Sequence, residues 1–242
     1  MEGNQYGECS GGPKHGESCY DEIKEKSCPS GRCVMAGANW SERPRMDQPS
    51  LLSRSQFLDT KQPGQGVRMG GYPVEMLVAL ANAVGADPHF NLPAAFTDDY
   101  MREFARYVAA HLGSNLRATV EYSNETWNWG FPQATYVNLK GRKLWPDEGS
   151  AWVQYAGSRM QQLCRLWKEV FHERPERVRC LLSPQTGWPE MAKNMLDCPA
   201  WASDHPELGA CHEGADAVAI TGYFAGCLQE KQNEPKLREW LA

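Results

Sequence analysis

The chain alternates between stretches with apolar residues at helical spacing and short runs of β-prone residues. One stretch opens at Thr97, a suitable N-cap, and continues with Asp98 and Asp99, whose negative charge favours the first turn of a helix. The apolar residues that follow recur at helical spacing, and Gly113 ends the run. They predict a buried helix face formed by Met101, Phe104, Ala105, Val108 and Leu112.

Three more helices and four strands follow from the same patterns. The helices are predicted from Pro73 to the cap Gly85 (with Met76, Leu77, Leu80, Ala81 and Val84 at helical spacing), over about 150–172, and near 189–196. The strands are predicted within 88–93, 116–122, 177–182 and 217–220. Repeated strand, helix and strand order is typical of a parallel sheet with helices packed outside it. The sequence therefore predicts an α/β fold.

Composition and charge narrow the possible partners. The 242 residues are 41% hydrophobic and 23% charged, which is ordinary for a globular protein with a core. The net charge is -5 and no Lys/Arg stripe alternates with aromatics, so nucleic acid is not an expected partner. No apolar run reaches the roughly 18 residues that a membrane-spanning helix needs. The expected partner is therefore neither nucleic acid nor a membrane, and the oligomeric state is not predicted.

Cysteines divide the chain into a Cys/Gly-rich segment over residues 1–36 and a larger domain over residues 37–242. Four of the nine cysteines crowd the first segment, which predicts a small disulfide patch formed by Cys9, Cys19, Cys28 and Cys33. Zinc binding is the alternative, but no CxxC pair is present and His15 has no histidine nearby, so neither a metal nor another cofactor is expected. A further hypothesis is that this segment contacts other proteins outside the cell.

A polar and aromatic cluster follows the predicted strand over 116–122. Glu125 lies at the carboxyl end of this strand, beside Asn124 and close to Trp127 and Trp129. Parallel-barrel enzymes place catalytic groups at such ends, and indole rings stack on the apolar faces of sugar rings. The alternative is that the tryptophans pack in a core and Glu125 is an exposed loop acid.

Positions after the next strands are candidates as well. Gln185 and Trp188 follow the strand over 177–182 and are expected to line the same cleft, and Tyr223 follows the last predicted strand. Buried packing is an equal alternative for Tyr223. Cys164 and Cys180 lie on a helix-like and a strand-like run, where inert buried thiols are expected.

The run EYSNETWN over residues 121–128 resembles the fourth-strand motif of clan A glycoside hydrolases, in particular a cellulase-like or cellulose-binding branch. The resemblance covers residues 40 to 226. Further matches fall in the order of that branch, at 40–44, 73–82, 87–93, Gln133 in a turn, and 215–224. Two positions depart from it, because His89 stands where the branch has tryptophan and Ala94 where it has histidine. A lone histidine inside a strand is more often a hydrogen-bonded structural residue.

The resemblance implies a (β/α)8 TIM-barrel fold, of which this chain has about strands 3 to 6. It also implies that Glu125 is the acid/base, that Asn124 contacts a sugar 2-hydroxyl, and that Asn91 helps to bind substrate. A retaining glycosidase needs a second carboxylate as nucleophile, which this family carries on the seventh strand. No glutamate of this chain fills that role, because Glu213, Glu230 and Glu234 are expected to be surface acids.

The expected function is therefore that of a glycoside hydrolase-like protein acting on a β-glucan or cellulose-type polysaccharide, with the nucleophile strand absent from this chain. The chain alone is expected to be inactive. The alternative is a non-catalytic carbohydrate-binding protein that uses the same aromatic-lined cleft. An extracellular location is expected for the full-length protein, although the first residues lack the basic start and apolar stretch of a secretory signal.

Overall fold

The computed structural model describes residues 72–222 without a break, together with residues 7–10, 12–13, 18–19, 30, 32–34, 39–43, 45–46 and 230–241. Two sheets are present in these residues. A small antiparallel sheet has the order β2-β1-β3 and consists of β1 (Gly7–Ser10), β2 (Ser18–Cys19) and β3 (Arg32–Val34). A parallel sheet has the order β4-β5-β6-β7 and consists of β4 (His89–Leu92), β5 (Ala118–Tyr122), β6 (Val178–Leu182) and β7 (Ala217–Val218).

Helices precede, separate and follow the parallel strands along the chain. They are α1 (Val74–Val84), α2 (Asp98–His111), α3 (Pro132–Leu144), α4 (Ala151–Val170), α5 (Pro189–Asp197), α6 (Pro199–Asp204) and, near the end of the chain, α7 (Glu234–Leu241). The prediction of an α/β fold with four parallel strands and intervening helices is confirmed. None of the helices described is long and apolar enough to span a membrane.

The ends of α2 and α1 follow the predicted capping residues. The Tyr100 backbone N–H donates to Thr97 Oγ1 at 3.2 Å, so Thr97 caps α2 as its sequence position predicts. Gly85 ends α1 in the left-handed conformation with φ of 70°, which glycine adopts without a steric cost. The predicted buried face of α2 is also confirmed, since all five of its apolar residues are buried.

Helix α1 follows its predicted apolar stripe only in part. Ala81 is buried as predicted, but Met76, Leu80 and Val84 are exposed, and Val74 and Val78 are buried instead. Most residues of this helix are apolar, so the sequence contains more than one apolar stripe and does not show which of them faces the core.

Helix α3 was not predicted, and Gln133 lies in its first turn rather than in a turn between elements. Pro132 suits the first helical position, but the apolar residues of the segment are too scattered to mark one face. The helix packs closely on the start of α4. A Cβ on Gly141 would lie 2.4 Å from the carbonyl oxygen of Ala151, so this approach requires glycine.

Side chains of the parallel strands alternate between a helix-covered face and the opposite face. Phe90, Val120 and Leu182 are buried on the covered face, where Phe90 lies 5.3 Å from Phe104 of α2 and 6.1 Å from Trp167 of α4, measured between ring centroids. The alternate positions on β4 to β6 are mostly polar and point to the opposite face, where Glu121 is buried and His89 and Arg179 are exposed. They are His89, Asn91, Thr119, Glu121, Arg179 and Leu181.

A disulfide between Cys198 and Cys211 joins the start of α6 to the short helical turn Cys211–Gly214. The sequence did not predict this pair. Cys164 and Cys180 are free and buried, as predicted, and burial raises the pKa of the Cys164 thiol, helped by a hydrogen bond with Cys180. Cys9 pairs with Cys33 in the register of the small sheet, but the side chains of the N-terminal cysteines lie outside the described residues, so their disulfide patch stays a prediction.

Candidate functional site

The loop after β5 has a strained backbone. Ser123 and Glu125 have φ values of 60° and 44°, in the left-handed region that non-glycine residues rarely adopt. The Ser123 backbone N–H donates to the carbonyl oxygen of Leu92 at 2.7 Å, which ties the start of this loop to the end of β4. Residues in such conformations cluster at functional sites, because the surrounding structure must hold them there.

Asn128 fixes the carboxyl group of Glu125. Its Nδ2 donates to Glu125 Oε2 at 2.8 Å, and its backbone N–H donates to the Glu125 carbonyl oxygen at 2.9 Å. Asn128 Oδ1 in turn accepts from the Gly130 backbone N–H at 3.0 Å, so the amide is itself oriented. Asn124 is exposed, and its carbonyl oxygen accepts a hydrogen bond from the Gln133 side-chain amide. Glu125 is therefore a partly buried carboxylate with a fixed direction.

Glu125 lines a small pocket between the ends of β5 and β6. The other polar residues that line it are Glu121, Ser123, Thr126 and Ser183, and its apolar lining includes Met160 and Met195 from the helices and Leu182 from β6. Its free volume of about 10 Å³ is close to the space that one water molecule needs. The buried Ser183 Oγ has no hydrogen-bond partner among the described residues. A sugar ring does not fit inside this pocket.

A much larger cleft lies beside the pocket. It has a volume of about 560 Å³, and its lining residues are Trp127, Asn128, Trp129, Gly130, Gln185, Gly187 and Trp188. The structure thus brings together Trp127, Trp129 and Gln185, as predicted for the site, and Trp188 as expected from its position. Asn128 lines the cleft and also holds Glu125, so the cleft and the pocket are adjacent.

The aromatic surface of the cleft consists of the indole rings of Trp127, Trp129 and Trp188. Trp129 and Trp188 are 54% and 47% exposed, and both contact the buried Trp152, at centroid distances of 4.9 Å and 6.2 Å. The two exposed indoles are tilted by 42° and 52° against the buried ring, and their exposed apolar surface suits the C–H faces of sugar rings. Trp127 is more deeply placed, and its Nε1 donates to the carbonyl oxygen of Ser183 at 3.2 Å, linking the β5 loop to the end of β6.

Three predicted site residues do not join this group. Asn124 is exposed and lines neither cavity. Asn91 also lines neither cavity and lies opposite Glu121 in the strand register, with its buried Oδ1 lacking a partner in the described part of the chain. Tyr223 lies outside the described residues. His89 Nε2 donates to Glu121 Oε2 at 3.0 Å, which agrees with the expectation of a hydrogen-bonded structural histidine.

Sequence reasoning missed Trp152, Asn128 and Ser183. Asn128 belongs to the same motif as Glu125, and its amide at three residues' distance was an available signal. Trp152 lies in the helix predicted over about 150–172, where an apolar residue suits a core position, and it is buried. Ser183 carries no distinctive pattern around it.

Comparison with known proteins adds no relative, since no protein-family model, no curated protein and no solved structure matches this chain. Among the residues that the structure describes, no group of three or more His, Cys, Asp or Glu side chains is placed to hold a metal ion. The candidate site therefore rests on its own geometry.

Proposed function

We propose that this protein binds a β-glucan or cellulose-type polysaccharide in the tryptophan-lined cleft, and that Glu125 is the acid/base of a retaining glycoside hydrolase. The observation that carries the proposal is that the two cavities are adjacent. Trp129 and Trp188 expose indole faces in the cleft, and Asn128 at its edge holds the Glu125 carboxylate at 2.8 Å. A sugar stacked on the indoles therefore lies next to a carboxyl group of fixed direction.

The parallel sheet fits a (β/α)8 barrel, which we propose as the parent fold. The four strands follow each other in chain order across the sheet, and helices cover one face of it. In a closed barrel the other face becomes the interior, and the site lies at the carboxyl ends of the strands. Glu125 and Gln185 follow two adjacent strands at that end.

In a retaining mechanism, Glu125 donates a proton to the leaving glycosidic oxygen and later accepts one from water. A second carboxylate, about 5–5.5 Å away, attacks the anomeric carbon. Glu121 is the other carboxylate that lines the Glu125 pocket, but it is paired with His89. We therefore assign Glu121 no role as nucleophile.

Binding is tested by pull-down on insoluble cellulose and by titration with soluble β-glucan. Trp129→Ala and Trp188→Ala are each expected to weaken binding by about 1–3 kcal/mol, because each removes an exposed stacking face. Trp240→Ala is the matched control, since Trp240 is 61% exposed but belongs to α7. Equal retention of all three variants on cellulose would contradict the proposed cleft.

Catalysis is tested by reducing-sugar release from β-glucan in a C-terminally extended chain, because the chain alone is expected to be inactive without a second carboxylate as nucleophile. Glu125→Gln keeps the size of the side chain but removes the acid, so the rate is expected to fall by about 10²–10⁴-fold while cellulose binding persists. A rate that is unchanged in Glu125→Gln would refute the assignment of Glu125.

The second candidate is a non-catalytic carbohydrate-binding protein. It is favoured by the pairing of Glu121 with His89, which leaves Glu125 without a free carboxylate partner in its pocket among the described residues. Cellulose binding that depends on Trp129, with no reducing-sugar release by the C-terminally extended chain, would select this candidate.

A further inference from the structure

Gln185 has an unusual place in the cleft. It follows β6 and lies among the residues that line the cleft with Trp129 and Trp188, yet its Oε1 is buried and has no hydrogen-bond partner among the described residues. Burying an amide oxygen without a partner is unfavourable, because its hydration is lost and nothing replaces it. This pose of the side chain therefore has a cost that a ligand hydroxyl can remove.

Gly187 makes the pose possible. A Cβ on Gly187 would lie 3.1 Å from Gln185 Oε1 and 3.6 Å from Nε2, so the amide is folded back against the glycine. The first distance is shorter than an ordinary van der Waals contact. Gly187 does not have a left-handed φ, so its backbone accepts alanine and only the Gln185 amide opposes a side chain there.

The backbone of the loop 185–188 is anchored by hydrogen bonds that do not involve the side chain of Gln185. Thr186 Oγ1 donates to the Thr221 carbonyl oxygen at 3.1 Å, and the Thr221 backbone N–H lies 3.1 Å from Thr186 Oγ1. The Trp188 backbone N–H donates to the Gln185 carbonyl oxygen at 3.2 Å, which closes the turn. The side chain of Gln185 can therefore change rotamer while the loop and Trp188 stay in place.

We propose that Gln185 is a specificity-determining arm of the cleft, folded onto Gly187 in the free protein and turned toward a sugar hydroxyl when a glucan chain binds. The inference rests on the proposed function, because it assigns a polar contact to the same tryptophan-lined cleft. Stacking on Trp129 and Trp188 tolerates many sugars, whereas the Gln185 amide requires a hydroxyl at one position. The folded pose lowers the apparent affinity in proportion to its population.

The test is calorimetric titration with cellohexaose, a soluble β-1,4-linked glucose hexamer. Gly187→Ala disfavours the folded pose, so it is expected to tighten binding by roughly three- to tenfold. Gln185→Ala removes the arm and is expected to weaken binding by about threefold or more. The double variant Gln185→Ala/Gly187→Ala is expected to match Gln185→Ala alone, because alanine at 187 acts only through the amide.

Gly149→Ala serves as the control for a glycine-to-alanine change, since a Cβ there meets nothing within 4 Å. Its affinity is expected to equal that of the wild type. If Gly187→Ala has no effect, or has the same effect with and without Gln185, the arm is refuted while the cleft stands. If the wild-type protein does not bind cellohexaose or cellulose, the proposed function fails and the arm fails with it.

Discussion

The core beneath the parallel sheet and the site at the strand ends both contain tryptophans, but the indole rings serve them differently. Trp167 is fully buried and packs against Phe90, Phe104 and Phe171 at centroid distances of 6.0–6.1 Å. Trp129 keeps 54% of its surface exposed and contacts one buried indole, Trp152. In the first case the ring removes apolar surface from water within the protein, and in the second it keeps that surface available.

Left-handed residues and buried polar atoms without partners are also distributed differently between the two regions. The strand-end site contains two left-handed non-glycine residues, Ser123 and Glu125, and two buried side-chain atoms without partners, on Ser183 and Gln185. The helix-covered core has one such atom among the described residues, Trp167 Nε1, within an otherwise apolar cluster. Four further atoms of this kind in the described part of the chain lie outside both the site and this core, on Arg43, Glu75, Asn91 and Gln133. The feature that distinguishes the site is therefore the pair of left-handed residues in the loop after β5, and strained residues of this kind cluster at functional sites.

The largest expected effect comes from replacing one tryptophan of each region by alanine. Trp167→Ala is expected to lower the free energy of unfolding by about 3–5 kcal/mol, because it leaves a large cavity among aromatic rings. Trp129→Ala is expected to change the free energy of unfolding by less than about 0.5 kcal/mol, because an exposed side chain loses little burial. Urea denaturation measures both, and equal destabilisation by the two variants would remove the distinction between core and cleft.

The disulfide gives the next largest effect. Cys198 and Cys211 are separated by 13 residues, and closing a loop of this size restricts the unfolded chain enough to stabilise the fold by about 3 kcal/mol. The double variant Cys198→Ala/Cys211→Ala is expected to lose about that much in urea denaturation. Cellulose binding should persist under conditions where the variant is folded, because neither cysteine lines the cleft. A variant that is fully stable but does not bind would contradict this separation of stability from binding.

Much of the fold follows from local sequence signals. The cap Thr97, the left-handed Gly85 and the regular apolar spacing of α2 are properties of short segments, and they predict the elements that the structure contains. The apolar stripe of α1 that faces the core and the approach of α3 to α4 at Gly141 depend on neighbouring elements. A single sequence does not contain that information in local form, because tertiary packing selects among several apolar faces.

The site could be predicted only in part, because some of it also depends on tertiary packing. Trp127, Trp129 and Gln185 follow strands that lie side by side, so their convergence follows from a parallel sheet. The support that Trp152 gives to Trp129 and Trp188 comes from the first turn of α4 and depends on how that helix packs. The family resemblance implies a substrate contact for Asn91, but Asn91 lies on β4 opposite Glu121 and does not line the cleft.

The smallest expected effect comes from replacing two buried serines, one in each region, by glycine. The change in the free energy of unfolding should have opposite signs in the two variants. Ser123 has a φ of 60°, so Ser123→Gly relieves backbone strain and is expected to raise the free energy of unfolding by about 0.5–1 kcal/mol. Ser158 lies within α4, so Ser158→Gly is expected to lower the free energy of unfolding by a similar amount, about 0.5–1 kcal/mol. Glycine at 123 also loosens the turn that directs Glu125, so reducing-sugar release by the C-terminally extended chain should fall although the protein is more stable. Urea denaturation of both variants is the measurement, and destabilisation by Ser123→Gly would mean that the turn after β5 is not strained.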